Sequence, residues 1–301
     1  MTRPAALSRR SLLQASLTTL LMSSAAACRE HGDGAVIKHG PRRVVSLSPA
    51  VTETVFAIGA GADLVGVSDY CNYPEAAKKL PRTGSALTPN YEAIVRLAPT
   101  LILCEGAASA PRRELTTLGV TKFLPWLSLE DIVSSTRTLG ALTGHVETAS
   151  ALAGKMWDQL AVAENQHGPR VLLVLGEGTG KLSEIFYVQQ NSIHGAALRA
   201  AGARNAVTQK VEGVPRLSLE ELLRIDPEAI IVLVSTATGG PTEEQAIADF
   251  RALEPLTARK NGRISALRSD EAFANGPRIL DLSEHLKREI ARLFAGSPAT
   301  H

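Results

Sequence analysis

Eight residues recur on either side of a long amphipathic stretch, and this arrangement restricts the possible folds more than any other feature of the chain. Glu92-Ala93-Ile94-Val95-Arg96-Leu97-Ala98-Pro99 matches Glu220-Glu221-Leu222-Leu223-Arg224-Ile225-Asp226-Pro227, with glutamate, aliphatic, arginine, aliphatic and proline in register. In each copy the proline ends a helical pattern, and a short apolar run suited to a buried strand follows, Leu101–Cys104 in one and Ala229–Val234 in the other. Between the copies, Val146–Asn165 carries Ala149, Leu152, Ala153, Met156, Leu160 and Ala163 at steps of three or four, which places them on one face of a helix. Gly168-Pro169 closes that stretch. About 20 residues at about 1.5 Å each predict a rod of roughly 30 Å. The pattern reads as two related lobes on either side of a strut, each lobe offering one glutamate at an equivalent place.

The flanking segments alternate in the same way. Strands are expected at Arg43–Leu47, Leu64–Val67, Leu101–Cys104 and Lys122–Trp126, with helices at Thr52–Ile58, Tyr91–Leu97 and Leu115–Leu118. After the strut, strands are expected at Val171–Leu175, Ala229–Val234 and Arg263–Leu267, and helices at Ile193–Ala201, Leu219–Ile225, Gln245–Leu253 and Arg278–Phe294. Strands that alternate with helices form parallel sheets covered on both faces. The expected fold is therefore α/β, with two Rossmann-like lobes built on mostly parallel sheets and joined by one long backbone helix. Its boundaries are 43–144 for the N-terminal lobe, 145–168 for the linking helix and 169–296 for the C-terminal lobe.

Several functions are disfavoured. A net charge of +2 gives no electrostatic case for nucleic acid. Gly176-Glu177-Gly178-Thr179-Gly180-Lys181 breaks the spacing of a phosphate loop, and Leu182 stands where Ser or Thr is needed. His31, His39, His145, His167, His194, His285 and His301 are scattered, with no paired ligand spacing, so no metal site is expected. No nucleophile–base set announces an enzyme. Cys71 and Cys104 are compatible with a disulfide or with buried thiols.

The first 28 residues have the layout of an export signal. Ser8-Arg9-Arg10-Ser11-Leu12-Leu13-Gln14 holds twin arginines, an apolar run extends from Leu12 to Met22, and Ala25-Ala26-Ala27 leads to Cys28. The segment resembles a twin-arginine signal joined to a lipoprotein cleavage box, which would make Cys28 the lipidated first residue of an exported chain. Residues 29–42 would then form a polar tether.

Arg43-Val44-Val45-Ser46-Leu47-Ser48-Pro49-Ala50-Val51-Thr52-Glu53, followed by Gly66-Val67-Ser68-Asp69-Tyr70-Cys71-Asn72-Tyr73-Pro74, resembles the start of the iron-siderophore/cobalamin class of periplasmic binding proteins. The likeness continues through Asn90-Tyr91-Glu92, Leu139-Gly140, Thr143-Gly144, Phe186-Tyr187-Val188 and Ser218-Leu219-Glu220 to Pro277-Arg278-Ile279. The Ser-Pro-Ala-x-Thr-Glu form is most similar to the cobalamin-binding members. The resemblance implies a non-enzymatic monomer that holds a small molecule between its lobes and delivers it to the permease dimer of an ABC importer. It implies a corrinoid as cargo and no catalytic cofactor. It also implies ligand contacts from Tyr70 and from the loop Asp270-Glu271-Ala272-Phe273-Ala274, and docking through Glu92 and Glu220. A ferric siderophore or haem is the alternative cargo, with Arg112, Arg113, Arg216 and Arg268 as possible partners for an anionic ligand; a ligand-sensing module is the alternative role.

Overall fold

A computed structural model describes residues 42–106, 112–176, 182, 184–209, 211, 214–236 and 240–295. The export signal with Cys28, the tether up to residue 41 and Glu177–Lys181 of the glycine-rich stretch lie outside the described residues.

The first lobe runs β1 (Val44–Ser46), α1 (Pro49–Ala57), β2 (Leu64–Val67), α2 (Glu75–Lys78), α3 (Tyr91–Arg96), β3 (Leu101–Glu105), α4 (Arg112–Leu118) and β4 (Thr121–Leu124). Two helices follow, α5 (Leu129–Thr143) and α6 (Val146–Leu160). The second lobe runs β5 (Arg170–Leu175), β6 (Ile185–Phe186), α7 (Ile193–Ala200), β7 (Arg204–Asn205), β8 (Arg216–Leu217), α8 (Leu219–Ile225), β9 (Ala229–Val234), α9 (Glu243–Arg251), α10 (Thr257–Lys260), β10 (Ile264–Arg268) and α11 (Ile279–Phe294). Among the described residues, two parallel four-stranded sheets form, in the orders β2-β1-β3-β4 and β7-β5-β9-β10; β6 and β8 pair antiparallel beside the second.

The two sheets share one topology, and the recurring octapeptide marks the same point in each. Asn90 caps α3 by accepting from Ala93 N, and Ser218 caps α8 by accepting from Glu221 N. Each helix is followed by a left-handed residue immediately before the proline, Ala98 with φ 43° and Asp226 with φ 42°. An arginine at the head of each lobe's first strand clamps the helix end: Arg43 donates to the Leu97 carbonyl and Arg170 to the Ile225 carbonyl. These carbonyls are among those that a helix end leaves unpaired. Positive φ in a non-glycine residue is uncommon, so its occurrence at both matched positions is a strong sign of internal duplication.

The strut is real but differs from the single rod expected. The helix begins at Val146 but stops at Leu160, so its 15 residues span roughly 22 Å at about 1.5 Å per residue. Beyond it, the chain is tied to the second lobe instead: Arg199 donates to the Val162 carbonyl at 2.9 Å, and Gln190 to Glu164 at 3.3 Å. Helix α5 packs alongside α6. Leu139 and Ala149 join the core under the first sheet, whereas Leu129, Ile132, Ala153, Met156 and Leu160 join the core of the second lobe. Gly140 permits the close approach, because a Cβ there would run into that of Ala149. Trp126 and Leu152 pack against both cores, and α5 lies alongside the linking helix α6 where the lobes meet.

Cys71 and Cys104 are buried and are not joined in a disulfide. They pack in different core clusters, Cys71 with Val44 and Leu103 and Cys104 with Val45 and Ile102. Because side chains alternate along a strand, these clusters lie on opposite faces of the first sheet.

Candidate functional site: an acidic, aromatic-rimmed cleft between the lobes

In parallel α/β sheets, ligands bind beyond the carboxyl ends of the strands. Both sheets here send those ends to one cleft of about 920 Å³. From the first lobe it receives Pro49 and Ala50 after β1, Tyr70, Asn72 and Tyr73 after β2, and Glu105 at the end of β3. From the second it receives Ser235 and Thr236 after β9, and Asp270, Phe273, Ala274 and Asn275 after β10. Tyr70, Tyr73 and Phe273 are 69%, 49% and 42% exposed, large values for aromatic side chains. Rings held at a cleft wall in this way offer flat apolar surface to a ligand.

Two contacts join the lobes beside the cleft. Arg278, at the head of α11, forms a bidentate ion pair with Glu53 on α1, with Nε–Oε2 at 2.9 Å and Nη2–Oε1 at 2.7 Å. The remaining Nη1 donates to the Asp270 carbonyl at 3.0 Å, and the guanidinium lies 4.2 Å from the centroid of the Tyr73 ring. Burial works against the charge on Arg278, but the Glu53 carboxylate outweighs it and the pKa is raised. Trp126 Nε1 donates to the Asn275 carbonyl at 2.9 Å, a second tie between the lobes.

Glu105 has a different environment. Its carboxylate accepts from Ser48 Oγ, and Ser48 is its only side-chain hydrogen-bond partner among the described residues. Burial pushes its carboxyl above the usual range despite that bond. Within the cleft, Glu53 is neutralised by Arg278, and Glu75 pairs with Lys78 at 2.8 Å. Among the described residues of the lining, Asp270 and Glu105 have no cationic partner, which leaves two more acidic than basic side chains there.

The residues expected to meet ligand separate clearly. Tyr70, Asp270, Phe273 and Ala274 line the cleft. Ala272 is fully buried, and its carbonyl accepts from His194 Nε2 at 3.1 Å, anchoring the loop from beneath. Glu271 faces His285, 3.9 Å away, and is not part of the lining. Glu92 and Glu220 each occupy the second position of their helix, α3 and α8, on the exposed side, and Glu92 pairs with Arg96 at 2.5 Å. The side chain of Arg112 lies outside the description. Arg113 lies beside Tyr91, Arg216 pairs with Glu184 at 2.9 Å, and Arg268 donates to the Pro241 carbonyl; none of the three lines the cleft.

Sequence reasoning missed Glu53, Tyr73, Glu105 and Arg278. Glu105 had a readable signal: a lone acid directly after the apolar run Leu101–Cys104 sits at the carboxyl end of a buried strand. Glu53 and Arg278 both fall within the stretches that carry the family resemblance, but nothing in the sequence pairs two residues 225 apart. No cluster of three or more His, Cys, Asp or Glu fit to hold a metal occurs among the described residues, and no helix among them is long and apolar enough to cross a membrane.

The periplasmic binding protein family matches residues 44–271. A vitamin B12-binding protein of Pectobacterium carotovorum is 29% identical over 264 residues, covering 85% of this chain and 91% of the relative. The solved structure of the periplasmic vitamin B12 binding protein of Vibrio cholerae superposes with a TM-score of 0.66 at 26% identity, over 84% of this chain and 98% of that one. A periplasmic heme binding protein of Pseudomonas aeruginosa superposes with a TM-score of 0.67, also at 26% identity, over 87% and 96%. With two matching lobes, a cleft at their strand ends and a family match across both, this chain belongs to the periplasmic binding protein family and is a substrate-binding protein, not an enzyme.

Proposed function

We propose that the protein is the substrate-binding component of an ABC importer and that its cargo is a corrinoid of the cobalamin type, held between the lobes and released to the permease. The observation that carries this reading is the cleft, with three rings at its walls and more acidic than basic side chains among its described lining residues. Its volume is near the top of the usual ligand range of roughly 300–1,000 Å³, as a large, flat cargo requires. A corrinoid presents a broad ring to Tyr70, Tyr73 and Phe273 and peripheral amides to Asp270 and Glu105. Haem brings propionates and many ferric siderophores bring net negative charge, and either would meet uncompensated carboxylates. The relatives named for vitamin B12 support the same choice.

The remaining roles belong to the same proposal. The chain is exported through its N-terminal signal, is held at the membrane by lipid on Cys28, and acts as a monomer. Glu92 and Glu220, at matched positions of the two lobes, dock on basic residues of a permease dimer. Complementary charge of this kind fixes register and speeds encounter more than it adds raw affinity.

Trp126 reports on the lobe interface through its bond to Asn275, so its fluorescence provides the test. Titration with cyanocobalamin, haem and a ferric siderophore is expected to give saturable quenching with the corrinoid at the lowest concentration. Saturation by haem or siderophore with no response to cyanocobalamin would overturn the assignment.

A further inference from the structure

We propose that Glu105, positioned by Ser48, is a specificity-determining residue of the cleft: it hydrogen-bonds a neutral amide-type group of the cargo and turns away cargo with a carboxylate at that place. The inference rests on the corrinoid reading and adds to it the residue that sorts one peripheral group from another.

The argument is geometric. Glu105 ends β3 at the carboxyl edge of the first sheet, where its side chain enters the cleft. Ser48 caps α1, so the hydroxyl that donates to Glu105 is fixed by the helix start, with Val51 N donating to the same oxygen at 3.4 Å. The neighbouring charges do not neutralise it. Arg278 is committed to Glu53 through two nitrogens, and Lys78 to Glu75. Asp270, from the other lobe, adds a second acidic group to the lining.

An amide suits this environment in either protonation state of Glu105. Its NH₂ donates to an ionised carboxylate, and its C=O accepts from a protonated acid. Against the ionised form, which pH 8 favours, a carboxylate on the cargo lacks the donor, is repelled and leaves a desolvated charge unpaired. Sites built to hydrogen-bond one polar group reject its mismatched analogue strongly.

The test compares cyanocobalamin with derivatives in which a single peripheral amide is hydrolysed to a carboxylate, each isomer titrated separately at pH 8. For the wild-type protein, at least one isomer is expected to bind about 10-fold or more weakly than the parent. Glu105→Gln should reduce that ratio to about 2-fold or less, since glutamine keeps the shape and removes the charge. Ser48→Ala removes the donor that fixes the Glu105 carboxyl and should lower the ratio, so where Glu105→Gln fails to fold, an unchanged ratio in Ser48→Ala counts against the proposal. Equal binding of every isomer by the wild-type protein would overturn the proposal, as would a ratio unchanged in Glu105→Gln. If cyanocobalamin itself fails to bind, it is the corrinoid assignment that falls. Haem and its dimethyl ester then read the same filter, with the uncharged ester expected to bind more tightly than the dicarboxylate and an equal affinity counting against Glu105.

Discussion

Replacing Arg278 with alanine strands a carboxylate. The side chain of Glu53 is 7% exposed, that of Arg278 is 16% exposed, and the two nitrogens facing Glu53 are 2.7 and 2.9 Å from its oxygens. Removing one partner of a buried pair costs about 3–5 kcal/mol, chiefly because the other charge stays buried without its counterpart. Residual solvent access at this pair places the expectation at the low end, about 3 kcal/mol, including about 0.5–1 kcal/mol for the lost contact with the Tyr73 ring. For a fold of this size, 1 kcal/mol shifts the melting temperature by roughly 2–4 °C, so a fall of roughly 6–12 °C is expected. Denaturant unfolding of Arg278→Ala, Glu53→Leu and the double variant gives the pair's own term. The double variant should recover about 2 kcal/mol relative to the sum of the singles, because it buries no orphan charge. A loss below about 1 kcal/mol for Arg278→Ala, or simple additivity, would refute the view that this pair holds the lobes in register.

Other expectations follow from single sites. His194 is buried, and desolvation lowers its pKa from 6.5 to about 4, only partly offset by its bond to the Ala272 carbonyl. The unfolded chain therefore takes up this proton first, so stability is full above about pH 6.5 and falls by about 3 kcal/mol towards pH 4. Unfolding of wild type and His194→Gln at neutral and acid pH should show this loss in the former alone. Gly140→Leu should cost about 1–3 kcal/mol by forcing α5 away from Ala149, and denaturant midpoints at an unchanged slope would measure it. Glu92→Ala with Glu220→Ala should leave cargo affinity unchanged and stability within about 0.5 kcal/mol, since both side chains are exposed. Uptake in a reconstituted importer should nevertheless fall at least about 10-fold; undiminished uptake would remove both residues from the docking surface.

The parts of the fold that were legible in the sequence are those in which periodicity and burial agree. Val171–Leu175 and Ala229–Val234 are unbroken apolar runs because both faces of a parallel strand are covered. Helix α5 escaped notice because its buried face is partly hydroxylic. Ser135, Thr136 and Thr143 lie inside, with hydroxyls spent on the carbonyls of Pro125, Ile132 and Leu139 at 2.7, 2.7 and 2.8 Å. A side chain that satisfies itself on the backbone can be buried without looking apolar. Strand β7 has two residues, Arg204–Asn205, too few for any alternation to show. The octapeptide predicted matched lobes, but the left-handed residues that most firmly equate the two copies, Ala98 and Asp226, are not residue types that announce positive φ alike. In the cleft, Tyr70 and the loop Asp270–Ala274 were reached through family resemblance, whereas Glu271 turns towards His285 and Ala272 into the core, which no residue type in the loop announces.

Hydrogen–deuterium exchange with and without cyanocobalamin tests most directly whether cargo lies between the lobes. Protection is expected in the Tyr70–Tyr73 loop of the first lobe and in the Asp270–Asn275 loop of the second, rising together as cargo saturates one site per chain. Protection confined to a single lobe, or appearing only at a surface remote from both loops, would contradict it.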